Sequence, residues 1–175
     1  MGRSSFLEMG CGTGVIATCA ALAGCDRVVA VDVNPQAVVN SQRNASRHGV
    51  ADRLDSIHSD LFDALDGAER FDVVFWHSNY VLAPDDYRYA NVHERAYVDA
   101  GYVTHRRYLE QAPRWLTPGG RALLHFSARG DLDELRRIAV ECNRQLHIRR
   151  SAVFLEGEQE VEHLLIEVAT RAGQA

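Results

Sequence analysis

No apolar run in these 175 residues approaches the roughly 18 that a membrane-crossing helix needs, so a helical membrane protein is excluded. Met1-Gly2-Arg3-Ser4-Ser5 is too short for a signal peptide ahead of the first strand, and Phe6 stands where a myristoylation pattern wants Ser or Thr. The expectation is a cytoplasmic protein with no membrane partner. The four cysteines, Cys11, Cys19, Cys25 and Cys142, contain no CxxC pair and no spacing that suits zinc, and read as reduced packing residues. The eight histidines include no HxxxH or HxH, so no metal is expected. Positive charge is in deficit as well: 19 basic residues face 24 acidic ones, for a net charge of −5. A chain that grips a phosphate backbone usually carries a basic stripe. Here Arg106-Arg107, Arg136-Arg137 and Arg144 with Arg149-Arg150 read as solvated faces, and nucleic acid is disfavoured as a partner.

What is present is an alternation of short apolar runs with helical stretches. A strand over 5–9 closes in a glycine turn over 10–14, and a helix of small residues follows over 15–23. Residues 27–32 (RVVAVD) form a buried-type strand, rich in β-branched side chains. Asn34 caps the next helix, Pro35 takes its first position, and Gly49 ends it. Strands are expected over 56–59 and 71–76, then a long irregular segment over 77–103. A helix over 104–115 stops before Thr117-Pro118-Gly119-Gly120, which reads as a turn ahead of a strand over 121–126. An amphipathic helix over 131–142 leads to strands over 146–155 and 161–168, and the short acidic turn between them demands an antiparallel hairpin. The pattern is that of an α/β chain, a doubly wound and mostly parallel sheet in one domain over 1–175.

Three constellations carry chemistry. In Glu8-Met9-Gly10-Cys11-Gly12-Thr13-Gly14 the glycines remove Cβ atoms, so a ligand can lie against the backbone at the carboxyl end of the first strand. Val15 replaces the third glycine of a dinucleotide fingerprint, so the loop suits a nucleoside with an amino-acid tail better than a dinucleotide. Asp32, at the end of the second strand and before Val33, can accept two hydrogen bonds from ribose hydroxyls. Ser59-Asp60-Leu61-Phe62 ends the third strand. Asp60 there could take an adenine amino group with Leu61 and Phe62 over the ring, or the segment is a capped turn with a buried Phe.

Glu8 to Gly14, Asp32, Asp60 and the stretch 71–80 resemble class I S-adenosylmethionine-dependent methyltransferases, most closely the small-domain group that contains the release-factor glutamine methyltransferases. The resemblance implies a Rossmann-like, seven-stranded sheet in the family order 3-2-1-4-5-7-6, the seventh strand antiparallel. It implies S-adenosylmethionine as cofactor. Glu8, Gly10, Cys11, Gly12 and Gly14 would line its methionine end, Asp32 and Val33 its ribose, and Asp60 with Leu61 its adenine.

After the fourth strand the group carries Asn or Asp, two prolines, then an aromatic residue. In that register this chain reads His77-Ser78-Asn79-Tyr80, which should not grip a glutamine amide or a base amino group in the family way. His77 could be a general base, with Asn79 and Tyr80 positioning the nucleophile, or a residue that only packs beside Trp76. The tyrosine-rich segment over 80–102 is expected to form the substrate-facing wall. The first strand begins within five residues of Met1, so the cofactor cleft is expected to be open on one side unless a partner protein or a homodimer closes it, or the chain is a truncated product. Methyl transfer to a small molecule, or to a side chain that a partner presents, is the leading expectation. A fold that has lost methyl transfer, as in a cyclisation of secondary metabolism, and an RNA or protein methyltransferase are its rivals.

Overall fold

The computed structural model describes residues 4–171. Gly2, where the myristoylation pattern was weighed, lies outside the described residues. Seven strands hydrogen-bond in the order β3-β2-β1-β4-β7-β9-β8: β1 Ser5–Met9, β2 Arg27–Asp32, β3 Leu54–His58, β4 Phe71–His77, β7 Leu116–Ser127, β8 Arg144–Glu156 and β9 Gln159–Thr170. Two short strands, β5 Val81–Ala83 and β6 Val98–Ala100, form a separate parallel ribbon. With that ribbon set aside, this is the expected family order. β9 runs antiparallel to both β7 and β8, as the acidic turn demanded. The fold is α/β and Rossmann-like, with a mostly parallel sheet and a closing hairpin.

By internal contacts the chain groups into two compact units. One runs to His77 and takes in Arg114–Gly120; the other is Ser78–Pro113 with the residues from Arg121 onward.

In the first unit β1 pairs in parallel with β2 and β4, and β2 with β3. Such strands are buried on both faces, which is why RVVAVD reads as a continuous apolar run. Helices α1 (Val15–Leu22) and α2 (Pro35–Arg47) pack on β1, β2 and β3. Ala17 and Ala21 of α1 and Ala45 of α2 join Val28, Ala30 and Leu54 in one apolar cluster. The Asn34 side chain accepts the Gln36 N–H at 3.0 Å, so the predicted cap is in place.

In the second unit α3 (Val103–Gln111) and α4 (Leu132–Glu141) bury Tyr108, Leu109, Leu135 and Ile138 with Leu124, Phe126 and Ile166 of the sheet. Asp131 caps α4 by accepting the Glu134 N–H at 2.9 Å.

Two expectations change. Thr117-Pro118-Gly119-Gly120 is not a turn before a strand: β7 begins at Leu116 and runs through it, with Gly119 at φ +84. The Thr117 hydroxyl donates to Asp72 Oδ1 at 2.6 Å, and a Cβ on Gly120 would stand 2.8 Å from the Phe71 carbonyl oxygen. Close backbone approach to β4, and not turning, is what the glycine there serves. The segment expected to be irregular over 77–103 holds the ribbon and a 3₁₀ helix, Val92–Ala96.

Candidate active site

The glycine loop leaves β1 in a left-handed run: Gly10, Gly12 and Gly14 have φ of +59, +53 and +72. Their reasons differ. A Cβ on Gly14 would overlap Ser41 Oγ, so that glycine lets α2 come close. A Cβ on Gly10 would touch Trp76 Nε1 at 3.4 Å. At Gly12 nothing lies within 4 Å, so the missing side chain leaves open space beside the backbone. A ligand could lie against the backbone there.

Asp32 ties this loop to β2. Its Oδ2 accepts the Gly12 N–H and its Oδ1 the Asn34 N–H, both at 2.8 Å. A carboxylate has about four lone-pair sites, so two remain for a ligand's hydroxyl pair. The carboxylate is half-buried and held by rigid backbone, an arrangement that fits a ribose diol. Val33, next in the chain, accepts His58 Nε2–H through its carbonyl at 3.0 Å.

The side chains of Glu8 and Cys11 both turn inward. Glu8 is 2% exposed, and its Oε2 accepts the Ala17 N–H at 2.8 Å in the first turn of α1, a helix whose own N-cap, Gly14, has no side chain to offer. Burial pushes its pKa up to about 8, against the Ala17 N–H, which lowers it, and with the Asp32 charge, which raises it. Cys11 lies in the apolar cluster, where burial pushes its thiol up to about 12. Its N–H donates to the Val31 carbonyl at 2.9 Å, and its Sγ lies 4.0 Å from the Gly12 carbonyl oxygen.

At the end of β3 the Ser59 hydroxyl donates to the Leu61 carbonyl at 2.7 Å and accepts the Ala64 N–H at 3.0 Å. This locks Leu61 at φ +51, a conformation that a non-glycine residue holds only under constraint. Phe62 does not cover an adenine ring: it is buried and stacks on Trp115 at 5.4 Å and 13°. Of the two readings of this segment, the Phe has the packing one. Asp60 and Leu61 keep their place at the strand end.

His77 is the exposed last residue of β4. In the second unit, Ser78 donates to the His125 carbonyl through both its N–H (3.2 Å) and its hydroxyl (2.7 Å). Asn79 is buried, and its Nδ2 donates to the Val98 and Arg95 carbonyls at 2.9 and 3.3 Å. The Tyr80 carbonyl accepts the Tyr102 hydroxyl at 2.7 Å, and that same hydroxyl accepts the Asp131 N–H at 2.8 Å. These bonds hold the segment in which the family group carries two prolines.

Sequence reasoning missed two polar clusters of the second unit. Asp99 Oδ2 accepts from His105 Nδ1–H at 2.7 Å, both residues being buried, and Asp99 also accepts the Thr104 and His105 N–H groups. Burial lowers the His105 pKa against the pull of Asp99; burial raises that of Asp99, but His105 and the two N–H groups bring it below the usual value. Arg129, Glu156, His163 and His125 form a chain of contacts at 2.9, 2.8 and 2.9 Å. No short-range signal could have found the second cluster, because His163 lies 38 residues from His125.

The loop, Asp32 and the sheet order together set the comparison with known proteins. The family model described as ribosomal protein L11 methyltransferase (PrmA) matches residues 1–83. The chain is 46% identical over 55 residues to the ribosomal protein L11 methyltransferase of Alteromonas mediterranea, over 31% of this chain and 19% of that protein. It is 29% identical over 136 residues to a Methanocaldococcus jannaschii protein assigned as an N5-glutamine methyltransferase, over 75% of this chain and 66% of that one. The crystal structure of the B. subtilis m1A22 tRNA methyltransferase TrmK superposes with a TM-score of 0.63 at 12% identity, covering 96% of this chain and 61% of that one. The chain is thus similar to class I S-adenosylmethionine-dependent methyltransferases. The match to the Alteromonas protein spans about a fifth of that protein's length, 19%.

This corrects the expected partners. A small-molecule acceptor was expected and nucleic acid disfavoured, yet the similar methyltransferases are named for macromolecules, ribosomal protein L11 and tRNA. The physical reason is that net charge describes the far field of a whole chain and does not decide what one strand end takes. Among the described residues no helix is long and apolar enough to cross a membrane.

Proposed function

We propose that this chain transfers the methyl group of S-adenosylmethionine to a nitrogen of a protein. The observation that carries the cofactor half is Gly12, whose N–H is fixed on Asp32 and whose missing side chain leaves open space. The protein acceptor is supported by relatives named for ribosomal protein L11 and for protein glutamine.

On this reading the backbone of Gly10, Cys11, Gly12 and Gly14 takes the methionine end, with Glu8 holding α1 behind it. Asp32 and Val33 take the ribose; Asp60 and the constrained Leu61 take the adenine. The cofactor, when bound, supplies an electrophilic methyl on a sulfonium that leaves as a thioether. His77 does the remaining chemistry: its neutral imidazole accepts the proton that the nitrogen must lose as it is methylated. The buried Asn79, expected to position the nucleophile together with Tyr80, instead holds its own segment through the Val98 and Arg95 carbonyls, as Tyr80 does through Tyr102.

Tritium-labelled S-adenosylmethionine offered with ribosomal protein L11, a release factor and bulk tRNA tests the reading. Label in protein, lost in His77→Ala, is expected. Label in tRNA alone would replace the protein acceptor with RNA, and label in none with cofactor bound would overturn methyl transfer to these acceptors.

A further inference from the structure

Among the described residues β8 is the terminal strand of the sheet and pairs only with β9, so one edge of its backbone carries unpaired N–H and C=O groups. Its two halves are treated differently. A register shift between Ile148 and Arg150 breaks the inner half, where Arg149 pairs with Glu167 at 2.6 Å and Arg150 follows. Bulges and charges of this kind guard an edge against pairing. The outer half has neither: from Ser151 to Glu156 the register with β9 is unbroken, and no charged residue precedes Glu156.

Instead, three consecutive apolar residues stand in the open: Val153 is 59% exposed, Phe154 56% and Leu155 72%. Adjacent residues of a strand face opposite ways, so both faces of this end of the hairpin are apolar. Single exposed apolar residues need no explanation, but a contiguous group does. Around it lie carboxylates: Glu158, Glu160 and Glu162 are exposed and carry no ion pair among the described residues, while Glu156 is held by Arg129 and His163.

We infer that the outer half of β8, Ser151 to Leu155, is a docking edge for an extended, cationic protein segment. The segment adds as a strand on the open edge, its apolar side chains meet Val153, Phe154 and Leu155, and its lysines or arginines meet the glutamates of the tip. The carboxylates choose the occupant: they repel a phosphate backbone and complement a basic chain. The inference does not rest on methyl transfer.

A soluble peptide alternating lysine and valine is the probe, with a glutamate–valine peptide and oligouridylate as controls, each titrated into the cofactor-free full chain. Amide resonances of 151–156 are expected to shift and to gain exchange protection with the lysine peptide alone. Affinity should fall about tenfold in Glu158→Lys/Glu160→Lys, and fall again with added salt. The Leu155→Ser variant, exposed and free of packing duties, should weaken binding while leaving the thermal transition unchanged. Equal binding of the acidic peptide, binding of oligouridylate at these residues, shifts confined to other residues, or no shifts at all would overturn the inference. So would shifts at 151–156 on raising the protein's own concentration, because the edge would then serve a second copy.

Discussion

The carboxyl ends of β2 and β4 are built on opposite plans. At β2 the key group is a side chain, Asp32, pinned by two backbone N–H groups and left with spare acceptor capacity. At β4 the side chains after His77 are spent inward: Ser78 on the His125 carbonyl, Asn79 on Val98 and Arg95. The first end keeps the family's residues, and the second replaces two prolines and an amide with hydrogen bonds. On the proposed function, a fixed cofactor constrains one end to fixed chemistry. The other needs only a stiff turn, and stiffness has more than one solution.

The comparison breaks first at Gly12. Asparagine tolerates the left-handed region, whereas the β-branched side chain of valine would be strained at φ +53. Gly12→Asn should therefore keep the fold and fill the open space, abolishing cofactor binding in calorimetry. Normal binding by the folded variant would make the loop purely structural. At the other end, His77→Ala should lower turnover by about 10²–10⁴-fold with little change in cofactor affinity, the range for a lost general base. His77→Asn should not restore it, because Ser78 and Asn79 hold a different turn; recovery in that variant would mean orientation, not proton transfer, is its task.

Much of this was legible in advance, for reasons particular to each element. β1, β2 and α2 carry local signals: a β-branched run, an Asn-Pro cap, a glycine stop at Gly49. The closing hairpin followed from the length of its acidic turn. β5 and β6 were not legible, since three residues are too few to show a period. The two readings of Phe62 stayed open because its partner Trp115 is 53 positions away, and the Glu8 contact was not legible because it depends on Ala17 lying in the next helix. Pro118 and Gly119 signal a turn locally, yet β7 runs through them.

A smaller effect separates Asp32 from its neighbours. Asp32→Ala leaves the Gly12 and Asn34 N–H groups without acceptors and removes the ribose acceptor, so cofactor binding should weaken by about 1–3 kcal/mol. An unchanged dissociation constant in a folded variant would move the ribose elsewhere.

The smallest effect concerns Glu8, the carboxylate of the same loop that is turned inward. Its folded pKa of about 8 stands above the ordinary 4.5, so between those values the folded chain holds a proton that the unfolded chain has lost. That contribution is full below about pH 4.5 and is lost as pH rises through about 8. Glu8→Gln keeps an acceptor for Ala17 and cannot titrate, so its melting temperature should gain on the native chain from pH 5 to pH 8. Parallel curves would show that Glu8 is ionised in the fold.

Titration calorimetry of the native chain with S-adenosylmethionine and with its demethylated product tests the central claim most directly. One site per chain for each ligand, weakened in Asp32→Ala and absent in Gly12→Asn, is the predicted result. No heat with either ligand, from a chain shown to be folded, would contradict it.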